Sequence, residues 1–386
     1  MKNDVCIIGG GIMGLSTAFF LKRLDPAVSI CVVEPDPSYE FSSTLRASGG
    51  ARRLFSCPEN IQMSNFSIAF IKNFENEMGM GDEVVPIGWR EEGYLFLVPA
   101  EGVATLEQNA RVQRGLGADI VLLDKEALKQ RYPSMYVDDV AAAALSSRDG
   151  WCDPNSFLLG LRKKARSLGV EFIQDRVVDL VDSTAVRSAM LEVRGSIEAD
   201  VFVIAAGAWS AQIAATIDMY LPIAPMRRFE HYFTVQTEIE PLPFVKDLAR
   251  LAFRPEGGGY VGSLVNSNET RGFNFDIDHS YFDEVVWPAL AHRFPEFEAT
   301  KCHRSWAGIY EQCELDGNAI IGNWKARHEN IYVVTGFSGH GLMHAPAAGR
   351  AIAEMILHGE SRSIDLARLG YERVLLGEPY REAGIL

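Results

Sequence analysis

Val5-Cys6-Ile7-Ile8-Gly9-Gly10-Gly11-Ile12-Met13-Gly14-Leu15 opens a stretch that runs to Glu34 and decides how the rest of the chain is read. Val5 to Ile8 is a short apolar run, as expected of a strand buried in a parallel sheet. Gly9, Gly11 and Gly14 follow in G-x-G-x-x-G spacing, with Ile12 and Met13 between the last two. Leu15, Ala18 and Phe19 then recur at helical period, and the helix is expected to stop before Pro26. Ser29 to Val33 reads as a second strand, which delivers Glu34, followed by Pro35, twenty residues after the last glycine. Each part has a physical job. Gly9 permits a tight turn, Gly11 lets backbone approach a pyrophosphate, and Gly14 lets the helix pack on the strand. The helix N-terminus offers free N–H groups and a positive dipole end to phosphates, and Glu34 offers two acceptors to a ribose diol. A glycine-rich turn in an ordinary βαβ unit would explain the glycines alone. Strand, glycines, helix, strand and acid in register predict a bound dinucleotide.

Composition narrows the classes. A chain of 386 residues holds two or three domains' worth of core, and an apolar fraction of 47% suits a soluble globular protein. The net charge of -14 argues against nucleic acid and anionic membrane surfaces as partners. Val5 to Leu21 carries no charge, yet its glycines fit the fingerprint better than a membrane span, so no transmembrane segment is expected. No basic or transit-like segment precedes Val5, which predicts a cytoplasmic protein. Cys6, Cys31, Cys57, Cys152, Cys302 and Cys313 show neither C-x-x-C spacing nor zinc-like grouping, so no metal site is expected and free thiols are.

Two further junctions repeat the opening theme. Val201 to Ile204 is an apolar strand running into Ala205-Ala206-Gly207-Ala208-Trp209-Ser210. Ile331 to Val334 leads to Thr335-Gly336-Phe337-Ser338-Gly339-His340-Gly341 and a helix striped by Ala348, Ile352, Met355 and Ile356. Three strand-to-glycine-to-helix junctions, far apart in sequence, imply one nucleotide-binding domain assembled from separated segments. Residues 1–84, 146–222 and 318–370 are assigned to it, residues 85–145 and 223–317 to a substrate domain, and 371–386 to a tail. In between, helices are expected from Glu59 to about Met78, near Val103–Gly115 and Lys125–Tyr132, after the Asp153-Pro154 cap, and over Phe282–Phe294. Strands are expected at Gly93–Leu97, Ala141–Leu145, Arg176–Val181, Arg228–Gln236, Arg250–Phe253 and Tyr260–Leu264.

Taken together, these residues resemble the FAD-dependent D-amino-acid oxidase superfamily, which includes glycine and sarcosine oxidases and dimethylglycine dehydrogenase. The likeness rests on the Gly9–Gly14 fingerprint with Glu34, on Ala205–Ser210, on Trp306-Ala307-Gly308, on Asp316 to Gly322, and on Gly336 to Gly341 with Ala345-Pro346. Ser48-Gly49-Gly50, Phe55 to Gln62 and the tail are similar to the FAD-dependent oxidoreductase-domain proteins connected with respiratory-chain assembly. The resemblance implies an α/β fold: a Rossmann-type, glutathione-reductase-like FAD domain with an antiparallel-sheet substrate domain, as in p-hydroxybenzoate hydroxylase. It implies FAD contacts at Ser43, Arg46, Ala47 and Ser48, at Val177, at Ala206, Gly207 and Trp209, and at Gly308. It also puts the Gly336, Ser338, Gly339, His340, Gly341, Leu342 and Met343 backbone beside the isoalloxazine.

In such enzymes the hydride leaves the carbon beside an amine, and the substrate usually carries a carboxylate. A bidentate Arg is the apt anchor for it, and Arg52 and Arg254 are the candidates. Tyr260 stands in Gly-Gly-Tyr-Val-Gly, where sarcosine-oxidase-like relatives carry an active-site Tyr; His231 and His344 are further cleft candidates. Relatives with covalent flavin use a Cys before the Asp-Gly segment or a His in the N-terminal loop. Here those positions fall at Ala307-Gly308 and Arg46, so noncovalent FAD is expected. The oxygen-activating Lys of sarcosine oxidases has no counterpart in Tyr260–Leu264, and Met343 replaces their carboxylate-binding Lys. The expected activity is oxidation of the C–N bond of a D- or N-substituted amino acid, with O2, a quinone or a redox protein as acceptor. A 2-hydroxy-acid dehydrogenase using His231 or His344 as base, and a flavoprotein assembly factor, are the alternatives.

Overall fold

The computed structural model describes residues 3–80, 85–181, 185–266 and 268–384. Its first sheet grows from the opening stretch. Asn3–Ile8 pairs in parallel with Ile30–Val33 on one side and Gly195–Ile204 on the other. Glu171–Ile173 and His328–Thr335 extend the two sides in parallel, and Ile320–Trp324 adds an antiparallel edge. A parallel sheet needs cover on both faces, and helix Ile12–Leu24 supplies part of it. Sequence periodicity predicts one apolar stripe on this helix, yet it is buried from Ile12 through Lys22. The reason is helix Gly341–His358, which packs across it. At the crossing a Cβ on Gly349 would lie 2.6 Å from Ser16, so only glycine lets the helices approach this closely.

Val177–Val181 is a strand, but it sits in an antiparallel ribbon: it pairs with Ser188–Leu191, which pairs with the start of Gly195–Ile204. That placement brings Val177 to the end of the sheet where Glu34 emerges.

The second sheet has eight strands, in the order Thr300–Cys313, Ile223–Val235, Gly259–Leu264, Leu251–Glu256, Phe244–Lys246, Tyr94–Val98, Ala142–Ser146 and Ile120–Asp124. All neighbours are antiparallel except Phe244–Lys246 and Tyr94–Val98, which run parallel and sew two distant stretches of chain into one sheet. One face carries an aromatic-rich cluster, with Phe233, Phe253, Phe282, Phe294 and Phe297 packed under the helical turns from Phe282 to Arg293. Arg293 is buried there and forks onto both Asp139 and Asp247, which satisfies its charge. The other face carries residues that line a cavity shared with the first sheet.

Strands of the first sheet and its ribbon come from residues 3–33, 171–204 and 320–335, and those of the second from 94–146 and 223–313. Ser146, assigned from sequence to the nucleotide domain, pairs with Tyr94 in the second sheet. The expected boundary at residue 84 lies outside the described residues, as do residues 385 and 386 of the tail. Thr300–Cys313 escaped the sequence reading because its outer half alternates partly and fully exposed residues and offers no apolar run.

Candidate active site

Between the sheets lies a cavity of about 1110 Å³, above the range of roughly 300–1,000 Å³ usual for drug-sized ligands. It has room for a large ligand and a small one. One end is built from the opening stretch. Gly9 adopts φ +104°, and a Cβ there would sit 2.4 Å from the Ala205 carbonyl oxygen. A Cβ on Gly14 would fall 2.0 Å from the Gly9 carbonyl oxygen, whereas one on Gly11 would meet nothing within 4 Å. The first and third glycines therefore serve packing, and the second leaves open space above the helix. Gly11 is the N-cap of that helix, and no side chain caps its first turn. Glu34 receives the Gly10 N–H at 2.8 Å and the Asp36 N–H at 3.0 Å, which aims its carboxylate at the cavity wall. Burial pushes its pKa up, and those two N–H donors pull the other way.

The middle of the cavity is a second helix N-terminus. Gly336 and Gly339 have positive φ, as does Ser338, whose hydroxyl accepts the Cys313 N–H at 2.9 Å. His340 is the N-cap of helix Gly341–His358, again without a side-chain cap. The first turns of both long helices line the same cavity, so two positive dipole ends face it. The N-terminal loop is tacked onto strand Thr300–Cys313 from the opposite side. Ser43 donates to the Ile309 carbonyl at 2.5 Å and Arg46 to the Ala307 carbonyl at 2.6 Å. A Cβ on Gly308 would come 3.1 Å from the Arg46 Cβ, so the loop lies flat on this strand.

The far end is made of side chains. Arg52 is 1% exposed, donates to the Leu54 carbonyl and to His340 Nε2 at 3.0 Å, and stacks 4.0 Å from the Phe55 ring centroid. Because the guanidinium only donates, His340 Nε2 accepts and the ring is neutral with its proton on Nδ1. Burial, then the Arg52 charge, holds His340 well below the ordinary histidine range. No carboxylate lies within ion-pair distance of Arg52 among the described residues. Glu230 receives the Ser48 hydroxyl on Oε1, while Oε2 is buried without a hydrogen-bond partner. Burial raises its pKa to about 7 against the opposing pull of Ser48, Arg254 and Lys246. Tyr94, Phe244, Lys246 and Tyr310 complete the walls. The segment beyond helix Glu372–Leu376 closes one side: Glu382 accepts from Ser56, Cys57 and Asn60, and lines the cavity with Arg381.

Residues 4–355 match the DAO family, described as FAD dependent oxidoreductase. The chain belongs to this family. It is 36% identical over 425 residues to FAD-dependent oxidoreductase domain-containing protein 1 of Bos taurus, across 100% of this chain and 87% of that one. It is 24% identical over 382 residues to glycine oxidase of Geobacillus kaustophilus, across 96% of this chain and 97% of that one. L-Proline dehydrogenase from P. horikoshii shares its fold with a TM-score of 0.88 at 25% identity, covering 98% of this chain and 99% of that structure. The protein is thus an FAD-dependent oxidoreductase.

The residues present fit FAD. Glu34, with Pro35 and Val177 beside it, suits an adenosine; Gly11, Ile12 and Met13 suit the pyrophosphate; and Gly341, Leu342 and Met343 offer a dipole to the negative charge of a reduced ring. Gly9, Ser43, Arg46, Ala47, Ser48, Ala206, Gly207, Trp209, Gly308, Ser338, Gly339 and His340 also line the cavity. Gly14 and Gly336 do not: Gly14 packs on Gly9, and Gly336 has Ile223 2.7 Å from where its Cβ would stand.

Of the five substrate-site candidates, the structure brings only Arg52 to the cavity wall. His231 and Tyr260 lie on the opposite face of their sheet. His231 meets Ser305 at 2.8 Å and packs on Tyr281 and Phe282; Tyr260 packs on Phe233 and Phe297. Strand alternation is the cause: Glu230 faces the cavity, so His231 cannot. Arg254 is a brace, donating to the Ser48 carbonyl at 2.6 Å and to Glu256. His344 is buried against Ser64 at 3.1 Å, one helical turn below His340, and burial holds its pKa at about 3. Glu230, Lys246, Tyr94, Tyr310 and Glu311 were missed. The alternation around His231 was the available signal for Glu230; none existed for Lys246.

Proposed function

We propose that this flavoenzyme oxidises the C–N bond of a D- or N-substituted amino acid whose carboxylate rests on Arg52. The observation that carries the reading is the Arg52 guanidinium, buried at the cavity wall with no carboxylate partner among the described residues. A buried cation is costly unless an anion joins it, and two of its donors already serve Leu54 and His340, which sets the direction of the others. Neutral His340 helps here, since a protonated ring would repel Arg52 and compete for the anion.

Bound FAD supplies the hydride acceptor. The chain's own residues orient and deprotonate. Arg52 holds the carboxylate, the aromatic walls Tyr94, Phe244 and Tyr310 exclude water, and the orphaned Glu230 Oε2 accepts a proton from the substrate nitrogen. An acid with pKa about 7 is poised for that transfer at neutral pH. The hydroxy-acid alternative is less well supported, because His231 and His344 do not line the cavity. We further propose noncovalent FAD, since no cysteine lines the cavity among the described residues. The acceptor is proposed to be O2, a quinone or a redox protein. No helix among the described residues is long and apolar enough to cross a membrane, and no metal-ligand cluster occurs among them. Anaerobic bleaching with panels of D-amino, N-methyl-amino and 2-hydroxy acids tests the substrate class. Bleaching by hydroxy acids alone, or by no compound in the panels, would overturn it.

A further inference from the structure

We propose that Glu311 is a positioning residue that sets the potential of the bound flavin: its carboxylate builds the turn beside the ring and, by its charge, makes the ring harder to reduce. The inference rests on the fit to FAD above and not on the substrate reading. Glu311 sits near the end of strand Thr300–Cys313, where that strand leaves the substrate sheet and runs against the first. Two bonds stitch it there: the Ser338 N–H donates to the Glu311 carbonyl at 3.3 Å, and the Cys313 N–H to the Ser338 hydroxyl at 2.9 Å. The carboxylate itself takes the donors of the glycine-rich turn. Thr335 donates its hydroxyl to Oε2 at 2.8 Å, and Phe337 its N–H to Oε1 at 3.4 Å, with the Gly336 N–H adding a third. Glu311 lines the cavity, and its Oε1 lies 3.7 Å from where a Cβ on Gly341 would stand.

Charge decides the direction of the effect. All three donors to Glu311 are neutral. The cations on the same wall are turned to carbonyls, Arg46 to those of Glu40 and Ala307 and Arg228 to that of Arg227. His340, at the N-cap beside Gly341, is neutral as well. Burial lifts the Glu311 carboxyl to about 6 against the pull of its donors, so it is ionised at pH 8. The end of helix Gly341–His358 offers about half a positive charge, and a whole negative charge beside it reverses the local sign. Two-electron reduction puts negative charge on the ring, which this end then resists. The reduced flavin becomes a stronger reductant toward its acceptor.

The test needs no substrate. The FAD-loaded protein is reduced at pH 8 with xanthine and xanthine oxidase against reference dyes, and flavin content shows that each variant folds. Glu311→Gln keeps an acceptor for the turn but removes the charge. It should shift the equilibrium toward reduced flavin at least tenfold, or about 30 mV for a two-electron couple. Glu311→Asp keeps the charge and should stay within threefold of the unmodified protein. An unchanged or lower potential in Glu311→Gln overturns the inference. So does a rise in Glu311→Asp of tenfold or more, which would make shape rather than charge the cause; that comparison decides alone if the Gln variant takes up no flavin. If the unmodified protein takes up no FAD, the fit beneath the inference falls instead.

Discussion

The two ends of the cavity are made of different material. At the Glu34 end the ligand-facing surface is mostly backbone: Gly9 and Gly11 of the fingerprint, two N–H donors that aim one carboxylate, and a helix N-terminus. At the Arg52 end it is side chains from strands spread between Gly50 and Tyr310 and from the segment around Glu382. Backbone surfaces recognise what all members of a cofactor class share. Side-chain surfaces discriminate among small molecules, and can be exchanged without rebuilding the fold. The contrast predicts that damage at one end costs the cofactor, and damage at the other costs the substrate.

The harshest way to break that contrast is Gly9→Val. With φ at +104° and a carbonyl oxygen 2.4 Å from the new Cβ, the turn cannot form, and purified protein should carry no flavin; stoichiometric FAD in this variant would refute the packing argument. If the flavin is held without a covalent bond, as proposed, acid precipitation of the unmodified protein should release all of its yellow colour to the supernatant, and colour left in the pellet would refute it. Next in size, Arg52→Met should lower kcat/KM by about 100-fold or more, from the ~2–5 kcal/mol lost when one partner of a buried charge pair is removed. Flavin content should not change, and a parallel loss of FAD would dissolve the distinction between the two ends. Glu34→Gln should do the reverse, weakening FAD roughly tenfold through its ribose contacts while kcat of the loaded enzyme stays within about twofold.

The smallest effect is in pH. Glu230 loses its proton as pH rises through about 7, so the proton acceptor is present above that value and kcat/KM climbs on the acid side. Burial brings the Lys246 amine down to about 7, so it loses its charge in the same region. The groups face one another along with Arg52, Arg250 and Arg254, and the pair titrates together. Glu230→Gln should remove the acid limb, which is worth ~10-fold between pH 6 and the plateau. An unchanged acid limb would assign it to the substrate amine.

The same contrast explains what could be read from sequence. The FAD end is local: Val5 to Glu34 is one βαβ unit, and its meaning follows from spacing and period. The sheet order followed less directly, because the Val177–Val181 ribbon and the parallel join of Phe244–Lys246 to Tyr94–Val98 are tertiary facts with no local signal. At the other end, the position of Arg52 on the cavity wall could be anticipated because it follows the N-terminal loop. His231 and Tyr260 could not be placed, since only strand register tells which face a residue takes. His231 pairs with Gly262 and Tyr260 with Phe233, which turns both toward the aromatic cluster. All six cysteines are free thiols in the structure.

The Glu382 clasp has a consequence for how the molecule assembles. Its bonds to Ser56 join positions 326 residues apart, whereas the Gly10 contact of Glu34 spans only 24. Closing the longer loop carries the larger entropic cost and belongs late in folding. The nascent protein therefore gains its adenosine grip before its substrate chamber has a last wall, and stopped-flow refolding with FAD should show flavin capture preceding recovery of turnover.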